Sequence, residues 1–423
     1  MAQSRIFPGW YVVVGSGIGI GSGSVPFFAS SFALLAAAMA KQFGWQQAEV
    51  ATAASIYLLM QTMAYPLCGW PLDRFGSRKF AGVSIVLFAL CLVILSQIGN
   101  LWQLYAAFAL MGLIAAGTNV VSYARAISLW FNRRRGLAMG LAASAQAVGA
   151  FGMPIAMQHL IGAHGWPVAL IVFAVFELIV ALPLVALLVK DSPASYGLAA
   201  DGVPAAANPA EATAAAAADD MTVGKAIRTG TFWKLAVSFA IMGMSFYAIA
   251  PNIVYILTKK AGMTLGDVAT IQAVSGIATL FGRIGFGHLL DRFHAPLIAV
   301  AALALTASCA AIYSVTAVPA VIIFATVLNG LAIGGDTDLM PYLASRYFGV
   351  RAVSRIFGWF LFAFFLGAAV GPVTFAKLSA VYGGADTPLM MLAALQIVPA
   401  ALFLSLGRYK GATEPAGGQL KRT

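Results

Sequence analysis

The chain has 423 residues, of which 61% are apolar and 9% charged, and its formal charge is +11. Soluble proteins carry roughly 25% charged residues, and 14 acids with 25 bases cannot coat a globule of 44.0 kDa with water-facing groups. These figures weigh against a soluble enzyme. They weigh equally against a nucleic-acid binder, because the bases sit in short clusters between apolar runs and not on one soluble face.

A helix needs about 20 apolar residues to cross about 30 Å of hydrocarbon. In chain order the sequence predicts twelve such spans, at 10–36, 48–71, 80–98, 101–130, 136–160, 167–189, 231–257, 265–288, 296–315, 319–345, 354–379 and 387–407. None alternates in polarity as a barrel strand would. The first is too long for a signal-peptide core and lacks a small-residue cleavage site, so it reads as retained. With twelve spans both termini share one side. Nineteen of the 25 bases fall in loops on that side, four on the other (Lys41, Lys259, Lys260 and Lys377), and Arg125 and Arg283 lie inside spans. The positive-inside rule then places the termini in the cytoplasm.

Residues 190–228 break the pattern. They include PAAANPAEATAAAAADD, which has no apolar face and reads as a cytoplasmic linker, partly disordered. The expected organisation is a bundle over 1–189, the linker 190–228, a second bundle over 229–410 and a tail over 411–423. The halves repeat each other. GWPLDRFG (69–76) is echoed by GHLLDRFH (287–294), with Asp73 and Asp291 218 residues apart. Gly140 and Gly358, and Pro154 and Pro372, keep the same offset of 218. The predicted fold class is therefore an all-α membrane protein, with twelve transmembrane helices in two pseudo-symmetric six-helix bundles. Such repeats place a substrate site between them, near the bilayer midplane.

Charges within a span cost at least about 2.5–3.5 kcal/mol each and need a reason. Arg283 lies eight residues before Asp291, about 12 Å of helix rise from the loop. Its planar fork suits a carboxylate; the alternative is a structural pair with Asp336 or Asp338. Those two aspartates point about 200° apart on a helix, so one faces a cavity squarely. Either could couple a proton or serve as a counter-ion. Arg125 reads as a structural anchor or a second anion contact. Tyr57, Gln61, Asn119, Gln146, Tyr247, Asn252 and Tyr255 are the candidate neutral cavity residues; each could equally be a satisfied interhelical hydrogen bond. Cys68, Cys91 and Cys309 have no metal-ligand spacing, and the sequence shows no cofactor motif, P-loop or nucleophile elbow.

GWPLDRFGSRK (69–79) and its partial copy resemble the loop signature of the major facilitator superfamily, and the likeness extends over almost the whole chain. FPGWYVVV (7–14), LWFNRRRGLAMG (129–140) and KDSPASYGL (190–198) resemble its monocarboxylate and oxalate/formate transporter branches. The resemblance implies a monomeric secondary transporter in the inner membrane. It would carry small organic monocarboxylates by alternating access, with proton symport. An organic anion exchanger or a multidrug or metabolite exporter are the alternatives. It implies that Asp73, Arg74, Asp291 and Arg292 latch the bundles on the cytoplasmic side, and that Arg283 matches the substrate-binding arginine of helix 8. It places Glu177 in a helix outside the cavity-lining set, as a packing or protonated carboxyl or as a coupling site. Three positions depart from the branches: Phe28 and Phe364 where they carry lysines, and Thr279 where one carries an aspartate. A phenyl ring at 364 suits an apolar substrate body and favours monoanions over dianions.

Overall fold

The computed structural model describes residues 7–203, 221–249, 252–260, 262–350, 353–407 and 409. The side chains of Asp336 and Tyr255, the tail 411–423 and most of the alanine-rich linker lie outside the described residues.

Among the described residues, twelve helical segments cross the molecule in alternating directions. The first half contains α1 (Gly9–Phe43), α2 (Gln47–Phe75), α3 (Ser77–Leu95), α4 (Leu101–Trp130), α5 (Arg135–His164) and α6 (Trp166–Leu188). The second contains α7 (Gly230–Ile249), α8 (Leu265–Arg292), α9 (Ala295–Val315), α10 (Pro319–Phe348), α11 (Val353–Tyr382) and α12 (Asp386–Leu404). Eleven of them are long and apolar enough to cross a membrane. The exception, α2, is diluted by Gln61, Thr62, Pro66 and Pro71. Predicted bounds hold closely at α4 and α9. At α7 the predicted 231–257 is helical over the described Gly230–Ile249 and again from Ile253, the second piece running to Lys260.

Loops 75–77, 130–135 and 292–295, the described linker residues 188–203 and 221–230, and residues 348–350 share one face, here called the linker face; the other is the distal face. Part of the linker is docked there. Asp191 accepts from Arg78 N at 3.0 Å, Asp201 accepts from the backbone N–H of Asn132 and Arg133, and Trp130 Nε1 donates to Lys190 O at 2.8 Å.

Two helices break at the same level. α1 is interrupted at Gly23, whose ψ of 178° leaves the helix three residues before Pro26. α4 tightens over Ala116–Thr118 and restarts at Asn119, whose side chain accepts from Val120 N at 2.6 Å. Thr118 Oγ1 ties the breaks together, accepting from Ser24 N at 3.1 Å and meeting Ser24 Oγ at 2.8 Å.

Glycines let the bundles approach along two seams. Gly136 and Gly140 of α5 lie against the backbone of Gly287 and Arg283 on α8. Gly69 of α2 and Gly358 of α11 lie against Arg355 and Tyr65 respectively. In the linker half one apolar core runs through both bundles, joining Trp130 and Phe131 to Phe348 and Phe357. In the distal half it divides into a cluster around Phe27 and Phe108 and another around Ile256 and Phe375. The bundles are thus joined at the linker face and separate toward the distal face.

Candidate functional site

Where the bundles begin to part, a cavity of about 160 Å³ lies between them. Its first-half wall is Val25, Asn119 and Val120, beside the two helix breaks, with Gln146 of α5. Its second-half wall is Phe246 and Tyr247 of α7, Arg283 of α8, Ile333 of α10, and Phe364 and Phe365 of α11 among others. Arg283 is the charged residue among the described lining side chains.

Arg283 is 8% exposed. Its Nη1 faces Asp338 Oδ1 at 3.5 Å, and its Nη2 donates to Gln146 Oε1 at 3.3 Å, across the bundle boundary. Charge-assisted bonds of this kind normally close to about 2.7–2.9 Å, so both contacts are loose. Arg283 Nε is buried with no hydrogen-bond partner among the described residues. A guanidinium has five donors and no acceptor, so this one retains donor capacity beside a void. Asp338 is 2% exposed.

The other expected cavity residues divide. Asn119 lines the cavity, donating through Nδ2 to Tyr65 Oη at 2.8 Å. Tyr247 and Phe364 line it edge-on to each other, with ring centroids 6.4 Å apart. Tyr57 sits elsewhere, stacked on Phe28 at 3.9 Å and donating to Ser24 O. Gln61 is buried, and Asn252 donates to Ala248 O, four residues earlier in the chain. Arg125 is turned toward the linker face. Its Nη1 donates to Leu72 O at 3.3 Å, and its Nε lies 4.0 Å from Asp73 Oδ1.

At the linker face each loop aspartate reaches the other bundle. Asp291 accepts from Gly136 N at 2.7 Å and Leu137 N at 2.9 Å, at the start of α5. A carboxylate there satisfies orphan donors and the helix dipole. Asp73 meets Arg355 Nε at 2.9 Å, in the first turn of α11. Arg74 instead lies over the Trp70 and Phe75 rings, and Arg292 is exposed. Three further links cross the boundary: Arg135 to Ser345 Oγ at 2.9 Å, Arg346 to Asn132 at 2.9 and 3.0 Å, and a Tyr65–Phe365 ring stack at 5.3 Å. Sequence reasoning missed Arg355, although the repeat offset pointed to it: Leu137 plus 218 gives 355.

This architecture matches known proteins. The family model described as Major Facilitator Superfamily matches residues 17–372 and again 235–421. The chain belongs to the Major Facilitator Superfamily. It is 24% identical over 305 residues to the uncharacterized MFS-type transporter YhjX of Escherichia coli (strain K12), covering 71% of each chain. It is 25% identical over 294 residues to monocarboxylate transporter 13 of Bos taurus, covering 69% of this chain and 65% of that one. The crystal structure of the human organic anion transporter MFSD10 (TETRAN) shares the fold. Its TM-score is 0.72 at 14% identity, over 94% of this chain and 99% of that one. The protein is therefore a multi-pass membrane protein with the twelve-helix fold of a transporter superfamily.

Proposed function

We propose that the protein carries small organic monocarboxylates across the inner membrane by alternating access, coupled to protons, with the linker face in the cytoplasm. The supporting observation is Arg283: a permanent cation, buried beside a cavity between the bundles, with loosely held donors and an orphaned Nε. A carboxylate entering from the distal side takes those donors as a fork. Phe364, Phe365 and Tyr247 receive its apolar body. Asp338 competes for the same guanidinium. Protonating Asp338 removes that competition and leaves one charge pair, substrate with Arg283, in the closed site. Anion and proton thus enter together. Arg125 is engaged with Leu72 and Asp73 at the linker end, and one cation in the cavity suits one carboxylate. The similarity to a monocarboxylate transporter favours the same reading.

The inward switch requires the Asp73–Arg355 and Asp291–α5 contacts to part, so these four partners form the linker-face latch. Uptake by the full-length protein in proteoliposomes tests the reading, using radiolabelled formate, acetate, pyruvate, lactate and benzoate against oxalate and an organic cation. The expected result is uptake of monoacids, stimulated by an acidic exterior and lost in Arg283→Gln. Undiminished uptake by that variant, or movement of the cation alone, contradicts it. Exchange of two anions without response to a pH gradient identifies an exchanger instead.

A further inference from the structure

Glu177 lies at the centre of α6, eleven residues from each end, and is 0% exposed. Neither of its carboxyl oxygens has a hydrogen-bond partner of proper geometry among the described residues. Its polar neighbours are Ser22 of α1, whose hydroxyl lies toward the carboxyl, and Tyr123 of α4; both hydroxyls are buried, and neither makes a hydrogen bond of proper geometry among the described residues. The helix changes form here, with Glu177–Ala181 making a π-turn. Such turns re-aim a side chain and collect at functional sites. Ser22 is the last residue before the break in α1 at Gly23.

An isolated buried carboxylate is too costly to keep charged. α1, α3, α4 and α5 surround α6, and none offers a cation at this depth. Lys41 is in the last turn of α1, and Arg78 and Lys79 are in the first turn of α3. Arg125 is engaged with Asp73, Arg135 with Phe131 O and Ser345, and His159 and His164 lie at the distal end of α5. Tyr123, and Cys91 on α3, are the remaining titratable side chains there, both buried.

The second half supplies the comparison. Gln396 follows Glu177 by 219 residues, and Ser245 follows Ser22 by 223. Gln396 Nε2 donates to Ser245 Oγ at 2.5 Å, and α12 is likewise interrupted at Gln396. A serine of the first helix and a polar side chain of the sixth thus lie near each other in both bundles, hydrogen-bonded in the second. Packing is satisfied by an amide in the second bundle. The acid in the first adds one property, an exchangeable proton.

We propose that Glu177 is a proton-binding site of the first bundle, loaded in the distal-open conformation and discharged when α1 and α6 shift at the Gly23 break. This rests on alternating access but not on Arg283 or on a carboxylate substrate.

The test uses full-length protein in proteoliposomes, as wild type and Glu177→Gln. Infrared difference spectra are recorded as the buffer moves from mildly acid to mildly alkaline, with 13C-glutamate labelling to restrict the signal to the four glutamates. The wild type is expected to lose a protonated-carboxyl carbonyl band that Glu177→Gln lacks. The variant is expected to retain pyruvate exchange and lose stimulation of uptake by a pH gradient. A labelled band that stays constant across the pH range overturns the proposal, as does undiminished gradient-driven uptake by the variant. If the variant does not fold, the labelled wild-type band alone decides. If the wild type moves no pyruvate, the substrate reading fails while the infrared result still decides this one.

Discussion

Arg283 of α8 and Asp338 of α10 face each other at 3.5 Å inside one bundle, while Arg283 also reaches Gln146 of the other bundle at 3.3 Å. The guanidinium therefore connects three things that transport must connect: an internal counter-ion, the opposite bundle and the void between them. Removing either partner has separable consequences.

Asp338→Asn imitates the protonated carboxyl without its exchangeable proton. Arg283 then has no competing carboxylate among the described side chains. Binding of a monocarboxylate is expected to become independent of pH and tighter by about ten- to a hundredfold, the range of a hydrogen bond to a charged group. Exchange should persist while uptake driven by a pH gradient disappears. Tryptophan-quench titration with pyruvate at several pH values, alongside the two flux modes, checks both parts. Unchanged pH dependence would remove Asp338 from the coupling.

Arg283→Gln removes the cation that faces both Asp338 and the cavity, so the variant is expected to bind monocarboxylates about ten- to a hundredfold more weakly. The double variant with Asp338→Asn should recover folding stability but not uptake, because the lost cation has no substitute. Thermal unfolding and uptake, measured on all three, separate the structural from the binding contribution.

The linker-face contacts make a different prediction. Asp291 satisfies two backbone donors at the start of α5, a contact worth about 0.5–2 kcal/mol to a helix N-terminus. The Asp73–Arg355 pair is more exposed on the arginine side and contributes roughly 0–1 kcal/mol. Asp291→Ala should therefore shift the population away from the distal-open form more than Arg355→Ala does. Labelling of a single cysteine placed at Ser345, which is buried at this boundary, reports the opening. Equal labelling in both variants and the wild type would show that the apolar seam alone holds the face shut.

Gly140 and Gly358 make that seam close. A Cβ on Gly140 would lie 2.5 Å from Arg283 O, and one on Gly358 would lie 2.3 Å from Tyr65 O. Both obstacles are backbone and cannot swing aside. Gly140→Val and Gly358→Val are expected to disfavour this conformation about equally, since repeat-related glycines carry the same contact. Distal-side accessibility of a cysteine at Val25, on the cavity wall, should fall in both.

Much of this fold was legible because lipid leaves little choice. Backbone groups in hydrocarbon must pair within their own helix, so long apolar runs announce themselves, and α4 runs over the predicted 101–130. Arg283 was visible for the same reason, as a charge where charge is costly. The breaks were harder to see. Gly23 sits in a glycine-rich run that reads as close packing, and only Pro26 and the string Gly117-Thr118-Asn119 hinted at interruption. Partner choice across the boundary was not legible from local spacing. Asp73 bonds over 280 residues away to Arg355, and Tyr57, polar and mid-helix, turned into the core against Phe28. Helical periodicity says which way a residue points along its own helix, but not how the neighbouring helix is rotated.

Phe364 gives the sharpest test of selectivity. It is 4% exposed, lines the cavity on α11 and meets Tyr247 edge-on. Its ring occupies space that an apolar substrate body would contact, and it leaves Arg283 as the cation among the described lining residues. Phe364→Lys exchanges that apolar wall for a second positive charge. With no ligand, two buried cations share the partners of one, so the apo protein should be destabilised, by about 1–3 kcal/mol for an unmatched polar group. A dicarboxylate such as oxalate supplies a carboxylate to each and should recover that loss. Monoacids with bulky apolar bodies should lose affinity. A thermal-shift series with oxalate, malonate, pyruvate and benzoate reads the reversal directly. If oxalate stabilises the variant no more than pyruvate does, the ring at 364 is not what confines the cavity to a single carboxylate.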